Sequence, residues 1–268
     1  MSFENVTMEK VTAIVKSAKE TCINREQALE ITEKGAANFV TAVDTRVQEF
    51  MRVELEKLNA KIEFMGEEQD NDAIDFANPV WILDPVDGTS NLIHDFRNSS
   101  LSLALYAEGE LKMGIVCHLF ADELYCAEKG KGAFLNGRPI HVSPVCDPGR
   151  SLVSIGTSPY RKELADEEFE IYKKVFVRCE DIRRIGSAAL DLAYVAAGRI
   201  ETYFEFSLNP WDFAAGILLV QEAGGTVTDY EGKTVDITRG SSIVAGNGVI
   251  DEIIRKEILN QENGDGRC

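Results

Sequence analysis

The most restrictive feature of this chain is the run Val80-Trp81-Ile82-Leu83, which has no polar residue and leads directly into Asp84-Pro85-Val86-Asp87-Gly88-Thr89-Ser90-Asn91. An uninterrupted apolar run of this length reads as a strand buried on both faces. Asp84 then emerges at the strand's C-terminal end. Pro85 and Gly88 force a tight turn, which brings Asp84 and Asp87 together and can turn the Val86 carbonyl inward. Two carboxylates and a carbonyl form an all-oxygen cluster, the kind of donor set that Mg²⁺ takes at about 2.0–2.1 Å. Asp-Pro and Asp-Gly also make ordinary turns, and Asp caps helices. On its own, the octapeptide leaves both readings open.

Further acids stand at other element ends. Gly66-Glu67-Glu68 follows the apolar strand Ile62–Met65, Asp212 follows Trp211 at the opening of a helix, and Asp44 sits near the start of another. Singly, each has a plain reading as a surface glutamate, an N-cap or a dipole partner. Gathered together, they would be like charges that need a cation to be tolerable. Glu67, Asp84, Asp87 and Asp212 are enough ligands for a two-metal or three-metal site. Spacing alone does not show that they converge.

The rest of the chain alternates in a readable way. Met8, Val11, Ile14, Val15, Ala18 and Cys22 share one helical face, giving a helix over about 7–22, and Val47, Phe50, Met51, Leu55 and Leu58 mark a second. A polar stretch with Lys34-Gly35 lies between them. A β-rich run follows through Leu101–Leu105, Met113–His118 and Leu124–Ala127. Asn136-Gly137 signals a hairpin, and Gly130-x-Gly132 reads as a turn in an antiparallel sheet rather than a phosphate loop. Cys146-Asp147-Pro148-Gly149 marks a boundary, dividing the chain into an α+β lobe, 1–147, and an α/β lobe, 148–268. In the second lobe, strands at Leu152–Ile155, Ile200–Phe206 and Ser242–Ala245 alternate with helices at about 162–178, Ser187–Ala197, Trp211–Ala223 and Val249–Leu259. The tail Asn260–Cys268 is polar and expected to fray.

Composition narrows the function. The 268 residues carry 28 basic and 45 acidic side chains, a formal charge of -17. That disfavours direct nucleic-acid binding and attachment to anionic membranes, both of which need a basic surface. An anionic substrate would need a bound cation to reverse the local field. Six cysteines with no Cys-x-x-Cys pair read as free, mostly buried thiols, so zinc is not expected. His94, His118 and His141 are scattered, and the latter two sit in strand-like runs as packing or surface residues. No apolar run approaches the ~20 residues of a membrane span. The Met1–Asn5 region lacks a basic stretch leading into an apolar one, so the expected compartment is the cytoplasm.

Taken together, these motifs resemble the inositol monophosphatase family. Trp81–Asn91 is similar to its first signature, and Trp211-Asp212-Phe213-Ala214-Ala215-Gly216 with Glu222-Ala223-Gly224-Gly225 to its second. Gly66-Glu67-Glu68 and Val40–Asp44 stand at the expected upstream places, and Arg183–Ala189 through Gly198 resembles the bacterial branch. The resemblance implies a layered α-β-α-β-α sandwich of the sugar-phosphatase type shared with fructose-1,6-bisphosphatase. It also implies a homodimer, lithium sensitivity, and Mg²⁺-dependent hydrolysis of a small phosphorylated polyol or sugar by a metal-activated water.

By the same resemblance, Glu67, Asp84, the Val86 carbonyl, Asp87 and Asp212 would hold two or three Mg²⁺ ions. Glu67 and Thr89 would position the nucleophilic water, with Asp44 hydrogen-bonded to Thr89. Asp87 and the Gly88 and Thr89 amides would meet the phosphate, while Gly186, Ser187, Ala188 and Glu205 would contact the alcohol. Two departures leave the substrate open: Asp95-Phe96-Arg97-Asn98 lacks the family's aromatic-Pro step, and Asn209 stands where bacterial relatives often carry a basic residue. Inositol monophosphates are the first expectation. Fructose 1,6-bisphosphate, histidinol phosphate and 3′-phosphoadenosine nucleotides share the chemistry. A non-catalytic role as a regulatory protein partner in transcription or ribosome assembly is the alternative of a different class.

Overall fold

The computed structural model describes residues 5–22, 31–35 and 38–259. The side chain of Cys22, the residue Cys268 and the expected frayed tail lie outside the described residues. In chain order the first elements are helix α1 (Met8–Cys22), the hairpin β1 (Ile31–Gly35) and β2 (Asn38–Thr41), and helix α2 (Ala42–Leu58). A seven-stranded sheet follows: β3 (Glu63–Gly66), β4 (Val80–Asp87), β5 (Ser100–Ala107), β6 (Glu110–His118), β7 (Leu124–Glu128), β8 (Gly132–Leu135) and β9 (Arg138–Ile140), in sequential order. Only β3 and β4 run parallel; the other neighbours are antiparallel. The short helix α3 (Thr89–Ile93) leaves the end of β4.

The second sheet has five strands in the order β11-β10-β12-β14-β13. They are β10 (Leu152–Ile155), β11 (Asp181–Arg183), β12 (Thr202–Leu208), β13 (Thr226–Thr228) and β14 (Ser241–Gly246). Between them lie α4 (Ala165–Phe176), α5 (Ala188–Ala196) and α6 (Pro210–Glu222). Helix α7 (Ile250–Ile254) continues as a π-turn over Arg255–Leu259.

The layers follow from which faces are apolar. On α1 and α2, Val11, Val15, Val47, Met51 and Leu55 are buried against Trp81, Leu83, Leu101 and Leu103 of the first sheet. The opposite face of the same strands, through Val80, Ile82, Ala104 and Val116, packs on α5 and α6. Those two helices also cover one side of the second sheet at Tyr203, Ile243 and Ala245. Its other side, through Val153, Phe204 and Val244, is closed by Ile171, Tyr172 and Val175 of α4 and Ile250 and Ile254 of α7. The stacking is α-β-α-β-α, as the resemblance implied. Helix α6 sits in the middle and is apolar almost all round, with nine buried residues, as a helix sandwiched between sheets must be. β4 is buried at all eight positions, with Trp81 and Leu83 facing one layer and Val80 and Ile82 the other. Burying each such side chain is worth about 1.5–3 kcal/mol, so the strand that carries the acidic turn is among the most firmly seated.

Some expectations shift. The strand expected at Ile200–Phe206 runs from Thr202 to Leu208, because Arg199 and Glu201 are occupied closing the end of α5 and pairing with Leu152. The helix expected from 162 begins as a 3-10 turn over Lys162–Leu164. The polar stretch around Lys34-Gly35 contains the β1–β2 hairpin, and the three-residue edge strands β11 and β13 carried no apolar alternation to mark them. Cys117, Cys126, Cys146 and Cys179 are free, but only Cys117 is fully buried. The Asn136-Gly137 turn joins β8 to β9 with both residues at positive φ. Among the described residues no helix is long and apolar enough to cross a membrane.

Candidate active site

Strand periodicity would place Asp84 and Asp87, three apart, on opposite faces of the sheet. Pro85 has no N–H to give to the ladder, and the pairing of β4 with β5 shifts register between Asp84–Ser102 and Asp87–Ser100. This irregularity re-aims the side chains, so both aspartates line one cavity of about 260 Å³. Asp84 Oδ1 accepts the Val86 N–H at 2.9 Å, holding the turn. Gly88 then leaves with φ +89°, and a Cβ there would meet the carbonyl oxygens of Gly186 and Asn98 at 2.9 and 3.0 Å. Only glycine fits that passage.

The other acids arrive from separate elements. Glu67 follows β3, parallel to β4, and its N–H bonds the Leu83 carbonyl at 3.2 Å. Asp212 lies in the first turn of α6, where its Oδ2 accepts the Asn209 N–H at 2.7 Å. Both line the same cavity, as do Val86, Gly88 and Thr89. From the other side come Gly186, Ser187, Ala188 and Glu205. The residues read from sequence as site candidates are thus brought to one place, with Asp44 standing behind them.

Asp44 is fully buried. Its Oδ2 accepts from the Thr41 N–H at 2.9 Å in a capping box at the start of α2. Its Oδ1 lies 2.9 Å from Thr89 Oγ, which is also 3.1 Å from the Val86 carbonyl. The single Thr89 hydroxyl proton therefore has two acceptors. The plain capping role and the contact with Thr89 both hold, through different oxygens. Ser187 spends its hydroxyl on Asp87 Oδ2 at 2.6 Å, where the Ala189 N–H also donates at 2.7 Å, and it caps α5.

The electrostatics are those of crowded anions. Removal from water raises Glu67 to about 8, and Asp212, Glu68 and Asp44 add repulsion. Asp84 is held well above the usual carboxylate range by burial and then by Glu67, Asp87 and Asp212. Asp212 is likewise held high by burial and by Asp87. Asp87 rises only to about 6, because Ser187 and the Ala189 N–H stabilise its charge against burial. Among the described residues no three His, Cys, Asp or Glu side chains already close on one ion. The donor set nevertheless fits a hard cation. It is all oxygen, its members repel one another across one cavity, and a divalent ion would relieve the repulsion that raises them.

Sequence reasoning gave several contributors no role. Asn91 Nδ2 reaches the carbonyls of Asn98, Ile185 and Gly186 at 2.6, 3.0 and 3.2 Å and so ties the acidic turn to the segment before α5. Asp191, Thr157 and Tyr160 also line the cavity. No spacing signal marks them, because a loop after β10 and a residue inside α5 meet the site only through packing. Arg184 faces the cavity and bonds Thr157 Oγ at 2.9 Å, whereas Arg183 turns back onto Asp181.

Fold and site together define a layered α/β protein with a carboxylate-lined pocket between its two sheets. A model of the inositol monophosphatase family matches residues 2–262, and the chain belongs to that family. An inositol-1-monophosphatase of Rhizobium meliloti is 38% identical over 251 residues, covering 92% of this chain and 94% of that protein. A Nus factor SuhB of Salmonella typhimurium is 39% identical over 220 residues, 82% of each chain. The crystal structure of the extragenic suppressor protein suhB from Bartonella henselae matches with a TM-score of 0.89 at 33% identity, covering 95% of this chain and 98% of that one. Family membership supports phosphatase activity on phosphorylated substrates.

Proposed function

We propose that the protein hydrolyses inositol monophosphates to inositol and phosphate in a Mg²⁺-dependent reaction. The reading is carried by the gathering of Glu67, Asp84, Asp87 and Asp212 on one cavity beside the Thr89–Asp44 pair. Glu67, Asp84, the Val86 carbonyl, Asp87 and Asp212 would hold two or three Mg²⁺ ions. When bound, these ions neutralise the phosphate's charge and make water acidic enough to attack at neutral pH.

The chain's own groups do the positioning. Thr89, donating to Asp44, keeps lone pairs free to accept a hydrogen bond from the attacking water, and Glu67 offers a second acceptor. The N–H groups at the start of α3, beside Gly88, have no partner within their own helix turn and suit phosphate oxygens. Asp44, buried and anchored through Thr41, offers the Thr89 proton the shorter of its two acceptor contacts, 2.9 Å against 3.1 Å to the Val86 carbonyl. In the balanced reaction, water's oxygen forms a P–O bond, the ester P–O bond breaks, and a proton from the water ends on the leaving alcohol. No histidine is needed: His118 Nδ1 already accepts the Phe120 and Ala121 N–H groups at 3.2 Å.

Phosphate release from a panel of esters, with and without Mg²⁺, tests the reading. Asp84→Asn and Asp212→Asn should lose the activity, and full turnover in either variant or in excess chelator would overturn it. The Nus factor name of relatives 39% identical motivates a second reading, a regulatory protein partner. Purification of the chain from its own cells without any transcription or ribosomal protein would remove it.

A further inference from the structure

Beyond the acidic turn, the cavity has a wall that the metal and phosphate chemistry does not use. Residues 156–161 leave the end of β10 and cross the alcohol side. Gly156 lies so close to Glu205 that a Cβ would overlap its carboxylate, so the segment presses directly on a residue expected to face the alcohol. Four residues hold it there by hydrogen bonds. The Gly156 N–H donates to the Phe204 carbonyl at 3.0 Å, and Tyr172 Oη donates to the Gly156 carbonyl at 2.6 Å. The Ser158 N–H meets Glu168 Oε2 at 3.3 Å, and the Arg184 guanidinium bonds Thr157 Oγ at 2.9 Å. Glu168 is 4% exposed, so α4 props the segment from beneath.

On this braced support Tyr160 is 61% exposed, although it lines the cavity. The Ser158 carbonyl accepts the Arg161 N–H at 3.0 Å, so Tyr160 rides on a turn at the mouth of the polar pocket and presents an aromatic face to whatever enters it.

We propose that Tyr160, held over the cavity by the braced segment 156–161, is a specificity-determining residue whose ring packs on the face of a cyclic leaving alcohol and so selects ring-shaped phosphate esters over open-chain ones. This rests on the pocket being a phosphatase site. A cyclic polyol presents a C–H face that fits an aromatic ring, and an open-chain alcohol does not.

The test is the ratio of kcat/KM for inositol 1-phosphate to that for glycerol 2-phosphate. Tyr160→Ala should lower this ratio about tenfold, the scale of a lost apolar contact in a binding pocket, and Tyr160→Phe should restore most of it. The exposed position makes both variants compatible with folding. An unchanged ratio in Tyr160→Ala would overturn the assignment, and Tyr160→Phe behaving like Tyr160→Ala would overturn the role of the ring. If the wild-type protein releases phosphate from neither ester with Mg²⁺, the phosphatase reading itself falls, and this inference with it.

Discussion

Replacing Asp212 with asparagine should stabilise the metal-free protein while abolishing its activity. Asp212 raises Glu67 by repulsion, and Asp87 does the same to Asp212. Two unit charges about 5 Å apart at an effective dielectric near 20 repel by about 3 kcal/mol. The substitution removes that charge. It keeps an oxygen to accept the Asn209 N–H, now 2.7 Å from Oδ2, at a capping loss of about 1 kcal/mol. The net gain at pH 9, where Glu67 (about 8) is mostly ionised, is about 2 kcal/mol, or roughly 5 °C in melting temperature for a domain of this size.

The sign with pH follows from the raised acids. Glu67 (about 8) and Asp87 (about 6) bind protons in the folded state that the unfolded chain has already released. Metal-free stability therefore falls as pH rises from about 5 to 8. At pH 5 Glu67 is neutral and the gain from Asp212→Asn should vanish. Scanning calorimetry in chelator at both pH values, alongside phosphate release with Mg²⁺, reads all of this. An Asp212→Asn protein less stable than wild type at pH 9, or equally stabilised at pH 5, would refute the account of repulsion.

Gly88→Ala should cost about 2 kcal/mol in urea unfolding and abolish phosphate release, because a left-handed backbone and two carbonyl contacts oppose the added carbon. Thr89→Val, nearly the same size, should cost about 1–3 kcal/mol, because buried Asp44 loses a donor, and should lower kcat by about 100-fold with little change in KM. Asn91→Ala should destabilise by about 1–2 kcal/mol, since the part-buried carbonyls of Asn98, Ile185 and Gly186 lose their donor. Addition of Mg²⁺ at 100 times its dissociation constant should raise wild-type stability by about 2.7 kcal/mol, and by clearly less in Asp212→Asn, as thermal shift would show.

Local sequence was enough for the elements whose burial is one- or two-sided and regular. The continuous apolar run of β4, the helical face of α1 and the Asn136-Gly137 turn each declare themselves, because side-chain period and turn chemistry are properties of neighbouring residues. The acidic turn was legible for the same reason: proline and glycine dictate its backbone wherever it is placed. Short edge strands such as β11 and β13 were not, since three residues carry no period and their pairing is decided by the strand beside them.

What the sequence determined by itself was the set of chemically able groups: Asp84, Asp87 and Glu67 at strand ends, Asp212 in a helix's first turn, and Thr89 and Asp44 beside them. Only tertiary structure decided that they share one cavity. Residues 67, 84 and 212 are brought together by parallel pairing of β3 with β4 and by α6 packing between two sheets, and those contacts depend on every layer at once. The same holds for the alcohol side. Tyr160 and Asp191 carry no motif, and they acquire a place at the site because α4 props the segment after β10 and α5 packs against the second sheet.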